Sequence, residues 1–201
     1  MKWNFCILIF SLLLTGCGSL IKQPPAVISY YQLDYKPQSA KSKVIDKTLS
    51  ISPFFISEMY NRNSIIYADK YKTDFYRYKQ WISAPQVQIT ELFRRDFIDN
   101  GAFKAVILPG QLLKPDLTLS AAITEISENR STSKTEAVLK ITATLIKPAE
   151  KREPPQIIFQ KNYIERVPCE KNNVESLVEA LSVAAKEISC QLQLDVIKAV
   201  K

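Results

Sequence analysis

The sequence contains no histidine. That absence excludes nucleophilic dyads and triads built on imidazole, and zinc or iron held by histidine. Glycine is scarce, with four in 201 residues, so the chain is neither collagenous nor a flexible low-complexity array. None of the patterns G-x-x-x-x-G-K, G-x-G-x-x-G, H-E-x-x-H or G-x-S-x-G occurs. Runs of five or six like charges are also missing. The 27 Lys and Arg are scattered among 20 Asp and Glu, for a net charge of +7. Such scatter reads as a solvated surface, the alternative being mild attraction to anionic lipid headgroups. At 46% hydrophobic residues the chain is too apolar for disorder, and its length suits one globular domain. These exclusions move the expectation from catalysis toward binding or structural work, with no enzyme activity and no cofactor or metal.

The long apolar run of a membrane span is lacking too. Phe5 to Leu14 (FCILIFSLLL) is apolar except for Ser11 and follows Lys2 and Trp3. It is half the length of about 20 residues that a spanning helix needs, so it reads as the core of a signal peptide over residues 1–16. Leu14-Thr15-Gly16-Cys17 comes directly after it and resembles a bacterial lipobox. The resemblance implies cleavage between Gly16 and Cys17, diacylglycerol on the Cys17 thiol, and an acyl chain such as palmitate on the freed amine. One acyl chain binds a membrane only marginally, at about 0.8 kcal/mol per buried CH₂, whereas several on one residue make a stable anchor. Gly18 follows Cys17. The enterobacterial inner-membrane retention pattern has Asp there, so the resemblance favours the inner leaflet of the outer membrane, facing the periplasm. The alternative is the periplasmic face of the inner membrane. Export also argues against a nucleic-acid partner. Residues 17–27, with Pro24-Pro25, read as a lipidated tether.

The remaining chain, 28–201, reads as one α+β domain: a mixed, largely antiparallel sheet with two main helices packed on it. Residues 28–35 (ISYYQLDY) predict a strand with Tyr31, Leu33 and Tyr35 on one face. Leu49, Ile51 and Pro53 alternate in a second strand that Pro53 ends. Ser64 to Tyr67 and Thr73 to Tyr78 predict a hairpin rich in aromatics. Tyr67, Tyr76, Tyr78 and Trp81 read as a cross-strand ladder, or as an exposed rim for a partner or a lipid. Ser83-Ala84-Pro85-Gln86 predicts a capping box, followed by Ile89, Leu92, Phe93 and Phe97 on one helix face and closure at Asn100-Gly101. Residues 103–108 predict a short strand, and 116–126, 135–146 and 157–167 an antiparallel meander with one buried face. Asp96 with Asp99, and Glu125 with Glu128, read as solvated carboxylates.

Val174 to Val200 predicts a long helix whose stripe Val174, Leu177, Leu181, Ala184, Ile188 and Leu192 covers the sheet. A second row, Val183, Cys190, Leu194 and Ile197, is either sandwiched inside the domain or a subunit interface, including one with a second copy of the chain. Cys169 precedes this helix and Cys190 lies about 24 Å along it at 1.5 Å per residue, too far for a disulfide.

The order of these motifs resembles the ABC-type transport auxiliary lipoproteins, the lipoprotein partners of MCE-domain lipid-transport systems. The resemblance runs through Tyr30-Tyr31-Gln32-Leu33, Ile65-Ile66-Tyr67, Tyr76-x-Tyr78, Trp81-x-x-x-Pro85, Gly101-x-Phe103, Asp116-Leu117-x-Leu119 and the C-terminal helix. It departs at the hairpin turn, Asp69-Lys70-Tyr71-Lys72, where the family usually has Gly or Asn. The resemblance implies a non-enzymatic accessory of an MCE-domain protein and its ABC ATPase and permease, in contact with membrane lipid and taking part in lipid trafficking between the two membranes. Two other lipoprotein roles suit the same sheet-and-helix domain: a plug or chaperone of an outer-membrane β-barrel, and an activator of a cell-wall synthase.

Overall fold

The computed structural model describes residues 26–37, 44–131, 133–150 and 153–200. Gly16, Cys17 and the tether as far as Pro25 lie outside the described residues. In chain order the elements are β1 (Ser29–Tyr31), β2 (Ile45–Ile51), β3 (Phe55–Ile56), a 3-10 turn (Glu58–Tyr60), β4 (Ser64–Asp69), β5 (Lys72–Trp81), α1 (Pro85–Asn100), β6 (Phe103–Ile107), β7 (Leu117–Asn129), β8 (Glu136–Lys147), β9 (Gln156–Pro168) and α2 (Val174–Val200).

Strand β7 is the spine. Its Leu117, Leu119, Ala121 and Ile123 alternate into the core, as period-2 patterning requires. Along one edge it pairs antiparallel with β8, which pairs antiparallel with β9. Along the other edge it takes three short strands in succession, all parallel: β2 at Leu117–Leu119, β3 at Ala122–Ile123 and β4 at Glu128–Asn129. Pro53 lies in the break between β2 and β3, where a missing amide hydrogen does no harm. Beyond these the sheet forks. β6 extends it parallel to β2, while β5 pairs antiparallel with β4 and β1 parallel with β5. The sheet is therefore mixed, with antiparallel pairing along its longest strands.

Both helices cover one face. α2 lies on β8 and β9, and α1 packs on β6 and against α2. The stripes Ile89-Leu92-Phe93-Phe97 and Leu177-Leu181-Ala184-Ile188-Leu192 are buried against Leu49, Ile51, Leu119, Ile141 and Leu145. Each such large side chain contributes roughly 1.5–3 kcal/mol of transfer free energy. Phe54 meets Phe93 edge to face at 5.5 Å, and its amide donates to Thr90 Oγ1 at 2.9 Å, fixing the β2–β3 link against α1.

The opposite face is polar along β7–β9, as an antiparallel sheet with one wet face should be. Thr142 donates to Asn162 at 2.8 Å there, and Gln160 to Thr144 at 3.2 Å. Val138 is an exception. It is buried although it points away from the helices, and beside it Tyr60, from the 3-10 turn, bonds to Ser127.

Two local expectations need correction. The capping box does not form: Ala84 is the N-cap with no side-chain bond, and Pro85 supplies the first turn. Gln86 instead donates to Asn61 at 3.3 Å, and Gln88 donates to the Ser83 carbonyl at 2.7 Å. The first strand is shorter than predicted because its second half, from Gln32, leaves the sheet and crosses the helices. Gly101 does close α1, at φ +66°, a left-handed value that glycine adopts without Cβ strain.

Candidate functional site

The aromatic hairpin folds around a buried ion pair. β5 carries extra residues between Phe75, opposite Ile66, and Gln80, opposite Ser64. Such a bulge re-aims side chains, and it includes Tyr76. The Tyr76 hydroxyl donates to Glu128 Oε2 at 2.6 Å. Arg130 donates to the same carboxylate at 3.0 Å and to the Tyr76 hydroxyl oxygen. The Arg130 guanidinium stacks 4.0 Å from the centroid of Tyr67, and Tyr67 meets Tyr76 edge to face at 5.2 Å. Glu128 is only 1% exposed, and a cation and a hydroxyl face its buried carboxylate. Burial, and then the Glu128 carboxylate, push the Tyr76 hydroxyl well above the ordinary tyrosine range. The expectation of a solvated Glu128 is overturned by this trio.

Of the aromatic residues proposed as a partner rim, Tyr78 is exposed and Tyr67 and Tyr76 are half-buried. Trp81 is not on the surface. It is 3% exposed in the main core, since β5 turns inward at its end to meet β1 and α1, and it leaves the rim as a correction. On α2, Val183 and Leu194 are exposed, the latter at 67%, but Ile197 is buried. At 100° per residue the four residues fall within about 60° of one another, but Ile197 lies one turn past Gln193, whose side chain bonds Asn100 at the end of α1, and it belongs to the main core. No disulfide joins Cys169 and Cys190, both half-buried.

A feature the sequence did not reveal lies over the helix pair. Residues 31–35 run between α1 and α2 and bond to both. Leu33 N–H donates to Gln88 Oε1 of α1 at 2.8 Å, and Asp34 N–H to Ser182 Oγ of α2 at 3.2 Å. The Tyr31 hydroxyl donates to Glu175 at 2.6 Å and the Tyr35 hydroxyl to Asp96 at 2.7 Å. Arg95 closes over Tyr35, donating to its carbonyl at 2.7 Å with the guanidinium 4.9 Å from the ring centroid. Asp96 therefore is a buried acceptor and not a solvated carboxylate. The segment that follows the tether is thus fastened to the helix layer. Beside it runs a groove of about 610 Å³, edged by Ile82, Val87 and Ile98.

The molecule has two poles, about 40 Å apart along thirteen residues of β7 at 3.3 Å each. One pole carries the β4–β5 turn beside the β7–β8 connection. The other carries the loop 108–116, where Leu112 is fully exposed and Leu113 largely so. Among the described residues no group of three or more Cys, Asp or Glu is placed to hold a metal, and no helix is long and apolar enough to cross a membrane.

The family model for the ABC-type transport auxiliary lipoprotein component matches residues 31–193. The chain belongs to that family. The matched span runs from the strap across the helices to the last turns of α2, so it includes every strand from β2 to β9. Among solved structures the fold is similar to protein XCC0632 from Xanthomonas campestris, at 12% identity and a TM-score of 0.75, covering 85% of this chain and 96% of that one. It is also similar to the hypothetical protein CT253 from Chlamydia trachomatis, at 10% identity and a TM-score of 0.52, covering 78% of this chain and 98% of that one. At such identities these two likenesses speak to the fold alone. No curated protein matches the chain.

Proposed function

We propose that this chain is the membrane-anchored, periplasm-facing accessory of an MCE-type ABC transport system and takes part in moving lipid between the inner and outer membranes. The observation that carries the reading is the family match over residues 31–193, downstream of a lipobox ending at Cys17. Acyl chains on Cys17 hold the chain to a membrane, and Gly18 in place of Asp directs it to the inner leaflet of the outer membrane. The domain acts by binding and not by catalysis, with no cofactor besides the lipid on Cys17. Three surfaces suit it to adhesion: the aromatic hairpin, with Tyr71 at its tip and Tyr78 toward its base, the exposed α2 residues Val183 and Leu194, and the leucine pole at Leu112 and Leu113. Its partners are an MCE-domain protein and the associated ATPase and permease, and a second copy of the chain is a further candidate for the α2 face.

Co-purification tests this directly. A tagged full-length chain extracted in mild detergent brings down MCE and ABC subunits. Recovery of an outer-membrane barrel alone, or of a cell-wall synthase alone, contradicts the proposal.

A further inference from the structure

We propose that the pole carrying the β4–β5 turn rests on a phospholipid surface bearing negative charge, with Tyr71 at its interface and the neighbouring lysines against its headgroups. This rests on the reading that Cys17 is acylated.

The direction of the chain sets the geometry. β1 lies parallel to β5, with Ser29 opposite Lys79 and Tyr31 opposite Trp81. β5 runs away from its turn, so a chain entering β1 arrives from the side of the turn. Lys72 faces Asp69 and Gln80 faces Ser64, five residue steps of β4 or about 17 Å, the bulge taking up the extra residues of β5. Cys17 to Ser29 is twelve residue steps, which span at most about 43 Å. A bilayer holding the acyl chains therefore lies within about 43 Å of Ser29, and the turn projects about 17 Å toward that side. The leucine pole points the other way along β7.

The composition of the pole fits that neighbour. Tyr71 is 103% exposed between Lys70 and Lys72, and nothing in the fold requires an aromatic ring there. Lys70 takes φ +52° to close the turn, a conformation more often given to Gly or Asn. The turn is nonetheless held. Lys70 N–H donates to Ser131 Oγ at 2.5 Å, and Arg130 N–H to the Ala68 carbonyl at 2.8 Å. Cys169 N–H donates to the Thr135 carbonyl at 2.8 Å, which brings the loop before α2 alongside. Exposed Lys134 and Lys171 stand on these adjoining connections, and with Lys70 and Lys72 they face the exposed acids Asp69, Asp74 and Glu170. Cations so outnumber acids at the one end from which the anchor arrives. Tyrosine favours the membrane–water boundary, and lysine near an anionic leaflet is drawn to it.

The test uses the full-length acylated protein reconstituted in vesicles of phosphatidylethanolamine and phosphatidylglycerol containing brominated phospholipid as a short-range quencher. Native Trp81 is buried and gives a constant background. The variant Tyr71→Trp is expected to gain blue-shifted emission that the brominated lipid quenches. Leu112→Trp, at the opposite pole, is expected to gain emission that it does not quench. Adding Lys70→Glu and Lys72→Glu to the first variant is expected to remove most of the quenching, as are vesicles of phosphatidylcholine alone. The mass of the N-terminal peptide from the same sample reports acylation separately. An acylated protein that floats with its vesicles while Tyr71→Trp stays unquenched, or is quenched no more than Leu112→Trp, overturns the assignment of this pole and leaves the anchor standing. Equal quenching in neutral vesicles overturns the charge requirement. An N-terminal peptide without lipid overturns both the anchor and this inference.

Discussion

The Tyr35 hydroxyl and the Asp96 carboxylate meet at 2.7 Å over the seam between α1 and α2, and the same Asp96 oxygen accepts from Ser189 at 2.6 Å. Three elements thereby share one buried acceptor. Gln193 extends the network, donating to Ser189 at 3.3 Å and accepting from Asn100 at 2.9 Å. Tyr35→Phe removes one hydrogen bond to a charged group and should cost about 1.5–3 kcal/mol. Asp96→Ala should cost more, because it strands two buried donors. Urea unfolding of both variants checks this, and a loss below about 0.5 kcal/mol for Tyr35→Phe would show that the strap is held elsewhere.

Alkali should loosen the fold through its buried tyrosines. Burial first, and then Asp96, Glu128 and Asp195 respectively, raise the folded-state pKa of Tyr35, Tyr76 and Tyr163. A raised pKa means the folded state prefers the protonated form. The contribution is complete below the ordinary tyrosine value of about 10 and is lost as the pH climbs beyond it. Tyrosinate absorbance should therefore rise in two phases, the second together with loss of the helical circular-dichroism signal. A single phase, completed while the helices persist, would contradict the placement of these three hydroxyls.

Trp81 and Tyr78 sit three residues apart and should behave oppositely. Trp81→Ala opens a cavity in the core and should cost about 3–5 kcal/mol. Tyr78→Ala, on the exposed face of β5, should shift stability by no more than about 0.5 kcal/mol. Thermal unfolding of the pair distinguishes an interior Trp81 from a surface one, since equal effects would place both side chains alike.

Both thiols should react slowly in the folded state. Burial, followed by Glu128 for Cys169 and by Glu187 for Cys190, raises their pKa values and lowers the thiolate fraction at neutral pH. In the processed chain, without Cys6 and with Cys17 acylated, a thiol-disulfide reagent should titrate two thiols in denaturant under non-reducing conditions, and only sluggishly without it. Finding none in denaturant would reveal a bridge that the fold does not hold.

Much of the architecture was legible because it rests on periodicity. Leu117-Leu119-Ala121-Ile123 announces a half-buried strand, and Ile89-Leu92-Phe93-Phe97 a helix face, from neighbours a few positions away. Glu128 and Asp96 were misread for the same reason. Their burial is licensed by Tyr76, 52 residues distant, and by Ser189, 93 residues distant, which no local pattern carries. Trp81 followed the hairpin in sequence but enters the core in space, because the bulge in β5 changes which side faces inward. Ile197 does share the angular sector of Val183 and Leu194, but it is buried near the end of α1, a tertiary contact that helix periodicity does not carry. The strap over the helices had no signature beyond alternation at Tyr31, Leu33 and Tyr35. That pattern correctly gave one inward face but could not distinguish a strand from an extended segment lying on helices.

The account as a whole depends on the anchor at Cys17. Mass spectrometry of the N-terminal peptide of the native protein measures it most directly. The account predicts a chain beginning at Cys17 and carrying a diacylglyceryl thioether and an N-acyl group. A peptide that begins at another residue, or a Cys17 bearing no fatty acid, would contradict it.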